Sequence, residues 1–224
     1  MRGPRFVAAA LLGLAMTSCI HPTPPRRDDL IAWESPRTRL QPPRRIVFLP
    51  LDTEVGHESY ARQLQALVRS AMVGEAPFEI VPVDQEDLRD VDFRLTRERG
   101  VYRSEDLIRL AGRFGTDGVL FGVLTHFRPA PSVSIGLRMT LLDCRTGEVG
   151  WASDFVLDAE DARVDQDVRN FVEVAQRATS SLMGHERVLI SPRLFGTYTA
   201  SRLADTLRTA YMPMSAPKKG HDGD

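Results

Sequence analysis

Residues 133–157 read VSIGLRMTLLDCRTGEVGWASDFVL, and this stretch carries the clearest structural pattern in the chain. Apolar side chains alternate with small or polar ones from Val133 to Asp143, which is typical of a strand with one buried face. Residues 145–147 (RTG) indicate a chain reversal, because Gly147 suits the positive φ of a tight turn. The return strand, residues 148–157, has its apolar side chains on one face, namely Val149, Trp151, Phe155 and Leu157. The stretch therefore predicts a β-hairpin with one apolar side.

Strands and helices alternate upstream of this hairpin. Short continuous apolar runs indicate buried strands, and apolar side chains at a 3.6-residue period indicate helices. The predicted upstream elements are strands at residues 45–51, 78–83 and 118–125 and helices at residues 58–73 and 104–114. Two more amphipathic helices, at 161–183 and 193–210, follow the hairpin. The order β-α-β-α-β-β-β-α-α predicts a single α/β (α+β) domain in which helices pack on a mixed sheet.

The helices carry recognisable boundaries and buried stripes. Ser59 is a candidate N-cap of the first helix and Gly74 its C-cap, while Gly115 suits the end of the second. The predicted buried stripe of the first helix is Tyr60, Leu64, Leu67, Val68, Ala71 and Met72. Phe171 belongs to the corresponding stripe of the helix at 161–183.

Length and charge exclude several classes of protein. The chain has 224 residues, with 29 basic and 30 acidic side chains and a formal charge of −1. A protein that neutralises phosphates needs a basic surplus, so this balance argues against nucleic-acid binding. The 42% hydrophobic content is that of a globular protein rather than a disordered or collagen-like one.

The amino terminus has the pattern of a secretion signal. Arg2 and Arg5 precede an uncharged apolar stretch, residues 6–16, which is too short to span a bilayer. Thr17 and Ser18 then precede Cys19, in the manner of a bacterial lipoprotein signal that is cut before the cysteine. We expect Cys19 to carry the lipid, including palmitate, as a membrane anchor. Removal of residues 1–18 would change the formal charge from −1 to −3, because two arginines and no acidic residue are lost.

The expected domain organisation follows from this signal. Residues 19–44 are a lipidated cysteine and a proline-rich tether, which we expect to be extended rather than packed, with Trp33 placed on the surface of the body. Residues 45–211 form the α/β body, and residues 212–224 form a disordered tail. Within the body, the charged segment 84–103 is expected to be a surface excursion or a short irregular helix.

Three motifs resemble one family of periplasmic domains. They are VFLPLD at residues 47–52, GTDGVLFGV at 115–123 and LDCRTGEVGW at 142–151. Together they are similar to the α/β domain shared by the amino-terminal domain of TolB, the LpoB-type lipoproteins and the secretion lipoprotein CsgG. The resemblance covers about half of the chain and implies an envelope setting and a binding fold, not a reaction.

The hairpin motif has a structural explanation at each of its prominent positions. Asp143 can accept backbone hydrogen bonds in the turn formed with Thr146, and Gly147 supplies the turn dihedral. Trp151 adds a large buried surface. Gly118 and Gly122 allow close packing against a helix.

Catalytic and metal-binding patterns are scarce. Asp52, His57 and Ser59 follow a predicted strand, where α/β proteins often bind ligands, but they match no known catalytic motif. His126 and His185 are isolated, and we expect a buried, inert thiol at Cys144 and no disulfide with the acylated Cys19. The sequence thus predicts neither an enzyme nor a cofactor nor a metal site.

The sequence favours a non-catalytic outer-membrane lipoprotein whose periplasmic domain binds another envelope protein. Ile20 after the cysteine favours the outer over the inner membrane, since an aspartate there often retains lipoproteins in the inner one. Residues 84–103 and the two carboxyl-terminal helices are the candidate contact surfaces. One alternative is a CsgG-like ring-forming secretion channel, and another is a periplasmic enzyme. A homo-oligomer is required by the channel alternative and compatible with the leading hypothesis.

Overall fold

The computed structural model describes residues 31–34, 42–83, 85–90, 102–179 and 184–211. Its strands are β1 (Ile31–Glu34), β2 (Arg45–Phe48), β3 (Asp52–Thr53), β4 (Glu79–Pro82), β5 (Gly118–Arg128), β6 (Ser134–Asp143) and β7 (Glu148–Asp158). Its helices are α1 (Glu58–Val73), α2 (Gln85–Asp90), α3 (Ser104–Phe114), α4 (Ala162–Thr179), α5 (His185–Ile190) and α6 (Pro192–Tyr211). Every element of the predicted order is present, and β1, β3, α2 and α5 are additional.

The strands form one mixed sheet in the order β1-β7-β6-β5-β2-β4, with β3 paired to β5. Strands β2, β3 and β4 join the sheet by parallel pairing, whereas β5, β6, β7 and β1 pair antiparallel to one another. The long β5 therefore joins a parallel half, built by helical crossovers, to an antiparallel half built by hairpins. The predicted mixed α/β architecture is confirmed.

Helices cover the two faces of the sheet unequally. Helices α1, α4, α5 and α6 pack on one face and bury the larger core, which includes Trp151, Phe195 and Tyr198. Helix α3 covers the other face over β2 and β5, where a smaller core includes Leu107 and Val119. Successive residues of β2 belong to the two cores in turn, as the pleat of a doubly covered strand requires. Each large side chain fully buried in this way stabilises the fold by about 1.5–3 kcal/mol.

The hairpin differs from its prediction at one strand end. Trp151 lies opposite Leu141, but the next pair along the ladder is Val149 with Leu142, so Gly150 is an extra residue in β7. Such a bulge reverses the alternation of side chains. The prediction that Val149 shares the apolar face of Trp151 is therefore wrong, since its partner Leu142 packs into the core under α3.

Residues inside the expected tether join the sheet. Strand β1 pairs antiparallel with β7, from Ile31 opposite Asp154 to Glu34 opposite Trp151. The expectation that the whole of 19–44 stays unpacked is corrected by this pairing. A free sheet edge exposes backbone donors and acceptors, and four consecutive residues of the chain satisfy part of that edge here.

Several boundaries also differ from the predicted ones. Helix α1 begins at Glu58, and its N-cap is His57 rather than Ser59, with no side-chain capping hydrogen bond. Gly74 and Gly115 are C-caps as expected, and only Gly115 adopts the left-handed conformation, with φ of 61°. The segment 84–103 contains α2, while residues 91–101 lie outside the described residues, as do the signal sequence, Cys19 and the tail 212–224.

Candidate functional site

One end of the sheet is held together by Asp117, the residue before β5. Its carboxylate accepts hydrogen bonds from the backbone amides of Arg44 and Arg45, at 2.9 Å each, where the chain enters β2. Its carbonyl oxygen accepts a hydrogen bond of 2.9 Å from the backbone amide of Cys144 in the hairpin turn. The aspartate of the GTDG motif thus joins three segments that are distant in sequence.

The hairpin turn is organised by Asp143. Its carboxylate accepts hydrogen bonds from the backbone amide of Arg145 at 2.9 Å and from the guanidinium of the same residue at 2.7 Å. The Thr146 hydroxyl accepts a hydrogen bond from the backbone amide of Glu148 at 3.3 Å, and Gly147 has a φ of 74°. Burial by itself would raise the pKa of Asp143, but the hydrogen bonds from Arg145 hold it below its ordinary value. The motif residues therefore build the turn.

Trp151 lies wholly inside the larger core, at 0% exposure, opposite Leu141 of β6. Its indole Nε1 is buried and has no hydrogen-bond partner among the described residues. Burying such a donor costs free energy, so the large apolar area of the ring must outweigh that cost. The structure places Trp151 as a packing residue between the sheet and the helices.

The residues considered for catalysis have contacts of other kinds. Asp52 is buried on β3 and accepts a hydrogen bond of 2.8 Å from the backbone amide of Thr53. His57 is exposed and packs edge-on against Phe127, with ring centroids 5.0 Å apart. No group of three or more histidine, cysteine, aspartate or glutamate side chains in the described part of the chain has metal-binding geometry.

Three more of the candidate residues occupy unremarkable positions. Ser59 and His126 are exposed, in the first turn of α1 and on β5, and His185 is the half-buried first residue of α5. Cys144 is half-buried in the turn, and burial raises the pKa of its thiol to about 12. A thiol with so high a pKa is a weak nucleophile at neutral pH, in line with the expected inert cysteine.

One concave feature that the structure describes is a groove in the helical layer. It has a volume of about 340 Å³ and lies between α1, α6 and the middle of α4. Apolar side chains form its floor, namely Leu67, Ala71, Phe171 and Ala204. Polar side chains form its rim, namely Ser70, Glu75, Thr197, Ser201 and Asp205.

Helices α1 and α6 run side by side in the same direction, which gives the groove two distinct ends. At their amino-terminal ends, the hydroxyl of Tyr60 donates a hydrogen bond of 2.9 Å to the carbonyl oxygen of Pro192. At their carboxyl-terminal ends, the guanidinium of Arg208 lies 3.0 Å from the carboxylate of Glu75. Gly196 allows the close approach between them, because a Cβ at this position would lie 2.9 Å from the Tyr60 hydroxyl oxygen.

A chain of charged side chains borders one side of the groove. Arg208 also contacts Asp205 at 3.1 Å, and Asp205 contacts Arg202 at 3.2 Å. Arg202 in turn lies 2.8 Å from Asp167 of α4, whose carboxylate accepts a hydrogen bond of 2.7 Å from the hydroxyl of Tyr198. The network links α4 and α6 to the turn that follows α1 along one side of the groove.

The sequence pattern predicted that some of the groove residues are buried, but it did not predict a groove. Leu67, Ala71 and Phe171 were expected in buried stripes, yet each is only half-buried, because all three line the groove. The rim residues carried no signal of their own. Only the packing of α1, α4 and α6 brings the floor and the rim together, and it leaves an apolar floor beside two carboxylates.

No protein-family model matches the chain, and no curated protein matches it either. Solved structures of similar fold include the PelC dodecamer from Paraburkholderia phytofirmans, with a TM-score of 0.48 and 9% identity over 80% of this chain and 96% of that chain. Lipoprotein GNA1162 from Neisseria meningitidis matches with a TM-score of 0.40 and 18% identity, over 63% of this chain and 100% of that one. The LpoB C-terminal domain from Escherichia coli matches with a TM-score of 0.37 and 16% identity, over 51% and 83%.

A structure of TolB from Acinetobacter baumannii is also among the similar ones. The sequence motifs indicated a resemblance to LpoB and TolB, and structures of both proteins are among the similar ones. The resemblance to CsgG stays a prediction. At these identities the likeness says nothing about an activity or a partner.

Proposed function

We propose that this protein is a non-catalytic lipoprotein, anchored to the outer membrane through lipid on Cys19, whose body binds another protein of the cell envelope. The observation that carries the proposal is the segment 1–19, in which a positive start, a short apolar stretch and two small residues end at Cys19. Several acyl chains hold a protein firmly at a membrane without any spanning helix. Among the described residues, no helix has the length and hydropathy needed to cross a bilayer.

The groove between α1, α4 and α6 is the surface that we assign to the partner. Its floor is apolar, and both of its charged lining residues, Glu75 and Asp205, are acidic. A volume of about 340 Å³ accepts one or two large side chains of a protein rather than a whole helix. Arg208 already pairs with both carboxylates, so the occupant that fits is a segment of an envelope protein with a large apolar side chain.

The channel alternative draws no support from the hairpin at 133–157. Strand β6 pairs along its length with β5, and β7 pairs with β6 and β1. One face of the hairpin is buried under α4 and α6 in the larger core. Moving the hairpin into a bilayer would expose that core, which includes Trp151 and Phe155.

Membrane anchoring is tested by expressing the full chain and its Cys19→Ala variant in a diderm bacterium with radiolabelled palmitate. We expect the wild-type chain to be labelled and to fractionate with the outer membrane. The variant should be unlabelled and should be recovered without detergent. Unchanged fractionation of Cys19→Ala would remove the lipid from the proposal.

Partner binding is tested with a photo-crosslinking residue at Ser201 on the rim of the groove. The matched control carries the same residue at Glu105, which is exposed on α3 on the opposite face of the sheet. We expect one envelope protein to be crosslinked from Ser201 only. Its crosslink should be lost in Ala71→Trp, which fills the groove, and kept in Val174→Trp, which adds the same ring at an exposed position of α4. An adduct that survives Ala71→Trp would place the partner elsewhere.

A further inference from the structure

We infer that β1 is a strap that docks the lipid tether on the edge of the sheet. This docking sets the distance between the body and the membrane, and it sets which end of the body lies closer to the membrane. The inference rests on the proposed lipid anchor at Cys19. The strap is defined as residues 31–34, which pair antiparallel with residues 151–154 of β7.

The proline pattern of the tether singles out this short segment for pairing. Prolines stand at positions 22, 24, 25, 36, 42 and 43, and residues 26–35 contain none. Because proline has no backbone N–H, it cannot donate to a ladder, so the longest proline-free window, residues 26–35, gives the tether the most room to pair with an edge strand. The four residues of β1 lie inside that window.

The strap can leave the sheet without disturbing the body. The chain after it is held at Arg44 and Arg45, whose backbone amides donate to the carboxylate of Asp117. Strand β2 follows at once and is paired on both sides, with β4 and β5. When β1 is released, the chain from Arg44 onward therefore stays bound to Asp117. The release exposes the edge of β7 only at the four residues opposite the strap.

Docking changes the reach of the anchor by about twofold. With β1 docked, the free tether runs from Cys19 to Ile31, and twelve extended residues span at most about 37 Å. With β1 released, it runs from Cys19 to Arg45, and twenty-six residues span at most about 80 Å. The same body can thus stand at two different maximal heights above the bilayer.

Docking also orients the body. Because β1 is antiparallel to β7, its first residue, Ile31, lies closer to the Asp158 end of β7 than Glu34 does. In the docked state the anchor is therefore attached closer to the Asp158 end of the sheet than to the end with the Asp143 turn, which favours the Asp158 end toward the membrane. Helix α1 runs from the Asp158 end of the sheet back to the end with the Asp143 turn, because it joins the parallel strands β2 and β4. Glu75, which follows α1, therefore lies at the end of the groove farthest from the membrane.

The docked state is tested by cysteine pairs in the full-length, lipidated chain with Cys144→Ala. The pairs are Ala32→Cys with Ser153→Cys, and Trp33→Cys with Ala152→Cys, which are neighbouring directly opposed positions. One of the two is a non-hydrogen-bonded pair, the geometry in which a cross-strand disulfide closes most readily. The control is Ala32→Cys with Asp154→Cys, two positions that are not opposite each other in the register. A disulfide in at least one matched pair and none in the control is expected, and absence of both matched disulfides would overturn the strap.

The claim that docking of β1 limits the distance between the body and the membrane is tested by neutron reflectometry. This method measures the height of the body above a supported bilayer. In the chain with the oxidised cysteine pair, the height of the body above the bilayer should be about 37 Å or less, which is the limit for the docked state. The double variant Ala32→Pro/Trp33→Pro, which removes two backbone donors from the strap, should stand up to about twice as high. The circular dichroism spectrum of the double proline variant shows whether its body remains folded. Reducing the disulfide of the locked chain allows the docked and released heights to be measured in one protein.

Equal heights for the disulfide-locked chain and the double proline variant would show that docking of β1 does not set the distance between the body and the membrane. If Cys19 carries no lipid, the chain will not bind the bilayer at all, and the proposed function fails. The disulfide assay can be repeated with Cys19→Ala, which leaves no other thiol and no lipid, so it still decides whether β1 docks. The two failures are therefore distinguishable.

Discussion

The backbone amide of Arg45 donates a hydrogen bond of 2.9 Å to the carboxylate of Asp117, and the backbone amide of Asp117 donates one of 3.0 Å to the carbonyl oxygen of Arg45. This reciprocal pair joins the first residue of β2 to the residue that precedes β5. Because β2 and β5 are parallel neighbours, their first residues meet at the same edge of the sheet. The pair therefore sets the register of the parallel half where it begins.

Replacement of Asp117 by alanine is expected to lower the free energy of unfolding by about 2 kcal/mol, because backbone amides lose a charged acceptor. Asp117→Asn should cost less, since the amide oxygen can still accept one of these bonds. Urea unfolding followed by circular dichroism measures both variants. Asp154→Ala is the control, because it breaks an exposed ion pair with Arg138 that is worth at most about 1 kcal/mol. Equal losses in Asp117→Ala and Asp154→Ala would contradict the role of the reciprocal pair.

Two glycines should respond in opposite ways to the same substitution. A Cβ at Gly122 of β5 would lie 2.1 Å from the sulfur of Met139 and 2.7 Å from the carbonyl oxygen of Arg138. Gly122→Ala should therefore destabilise the protein by about 1–3 kcal/mol. A Cβ at Gly112 of α3 has nothing within 4 Å, so Gly112→Ala should stabilise the protein, by up to about 1 kcal/mol. Thermal unfolding of both variants checks the two signs, and a stable Gly122→Ala protein would show that the sheet is packed differently there.

The turn at Asp143 should make a pH-dependent contribution to stability. Its pKa is lower in the folded chain than its ordinary value of 3.8, so the ionised carboxylate stabilises the folded state. The contribution is present at neutral pH and is lost as the pH falls below about 3.8, through the folded pKa. The stability difference between the wild-type chain and Asp143→Asn should thus be largest near neutral pH and shrink in acid. Urea titrations along a pH series test this, and a difference that is constant with pH would contradict it.

The ion pair of Asp167 and Arg202 should couple more strongly than an exposed helical pair. Both side chains are about four-fifths buried, at 20% and 22% exposure, and their atoms approach to 2.8 Å across α4 and α6. A double-mutant cycle with alanine is expected to give a coupling free energy of about 1 kcal/mol or more. The same cycle on Glu173 and Arg177, an exposed pair one turn apart on α4, should give only about 0.3–0.5 kcal/mol. Indistinguishable couplings would mean that the network beside the groove adds no rigidity.

Most of the secondary structure was predictable, because local patterns carry it. The alternation from Val133 to Asp143 and the period of α1 both report which side of an element is buried. The error at Val149 has a specific cause. A bulge at Gly150 shifts the pairing by one residue, and a single extra residue reverses the faces of a strand without altering its composition.

The docking of β1 was not predictable from local pattern in the same way. Four residues among many prolines are too few to show a period, and their partner, β7, lies more than a hundred residues along the chain. Pairing of this kind depends on the free edge of β7, which exists only once the hairpin has joined the sheet. The groove was missed for a similar reason, because its rim includes Ser70 on α1, Glu75 in the turn after α1 and Asp205 on α6, which are far apart in the sequence.

By itself, the sequence determined the signal-like start ending at Cys19, the order of the main strands and helices and the hairpin with its Asp143 turn. These features depend on composition and on spacing within short windows, which a single chain displays directly. The tertiary structure alone decided that residues 31–34 complete the sheet edge, that Asp117 joins β2, β5 and the turn, and that α1, α4 and α6 enclose an apolar groove beside two carboxylates. Each of these depends on the distance between segments far apart in sequence, and that distance is set by packing on both faces of the sheet.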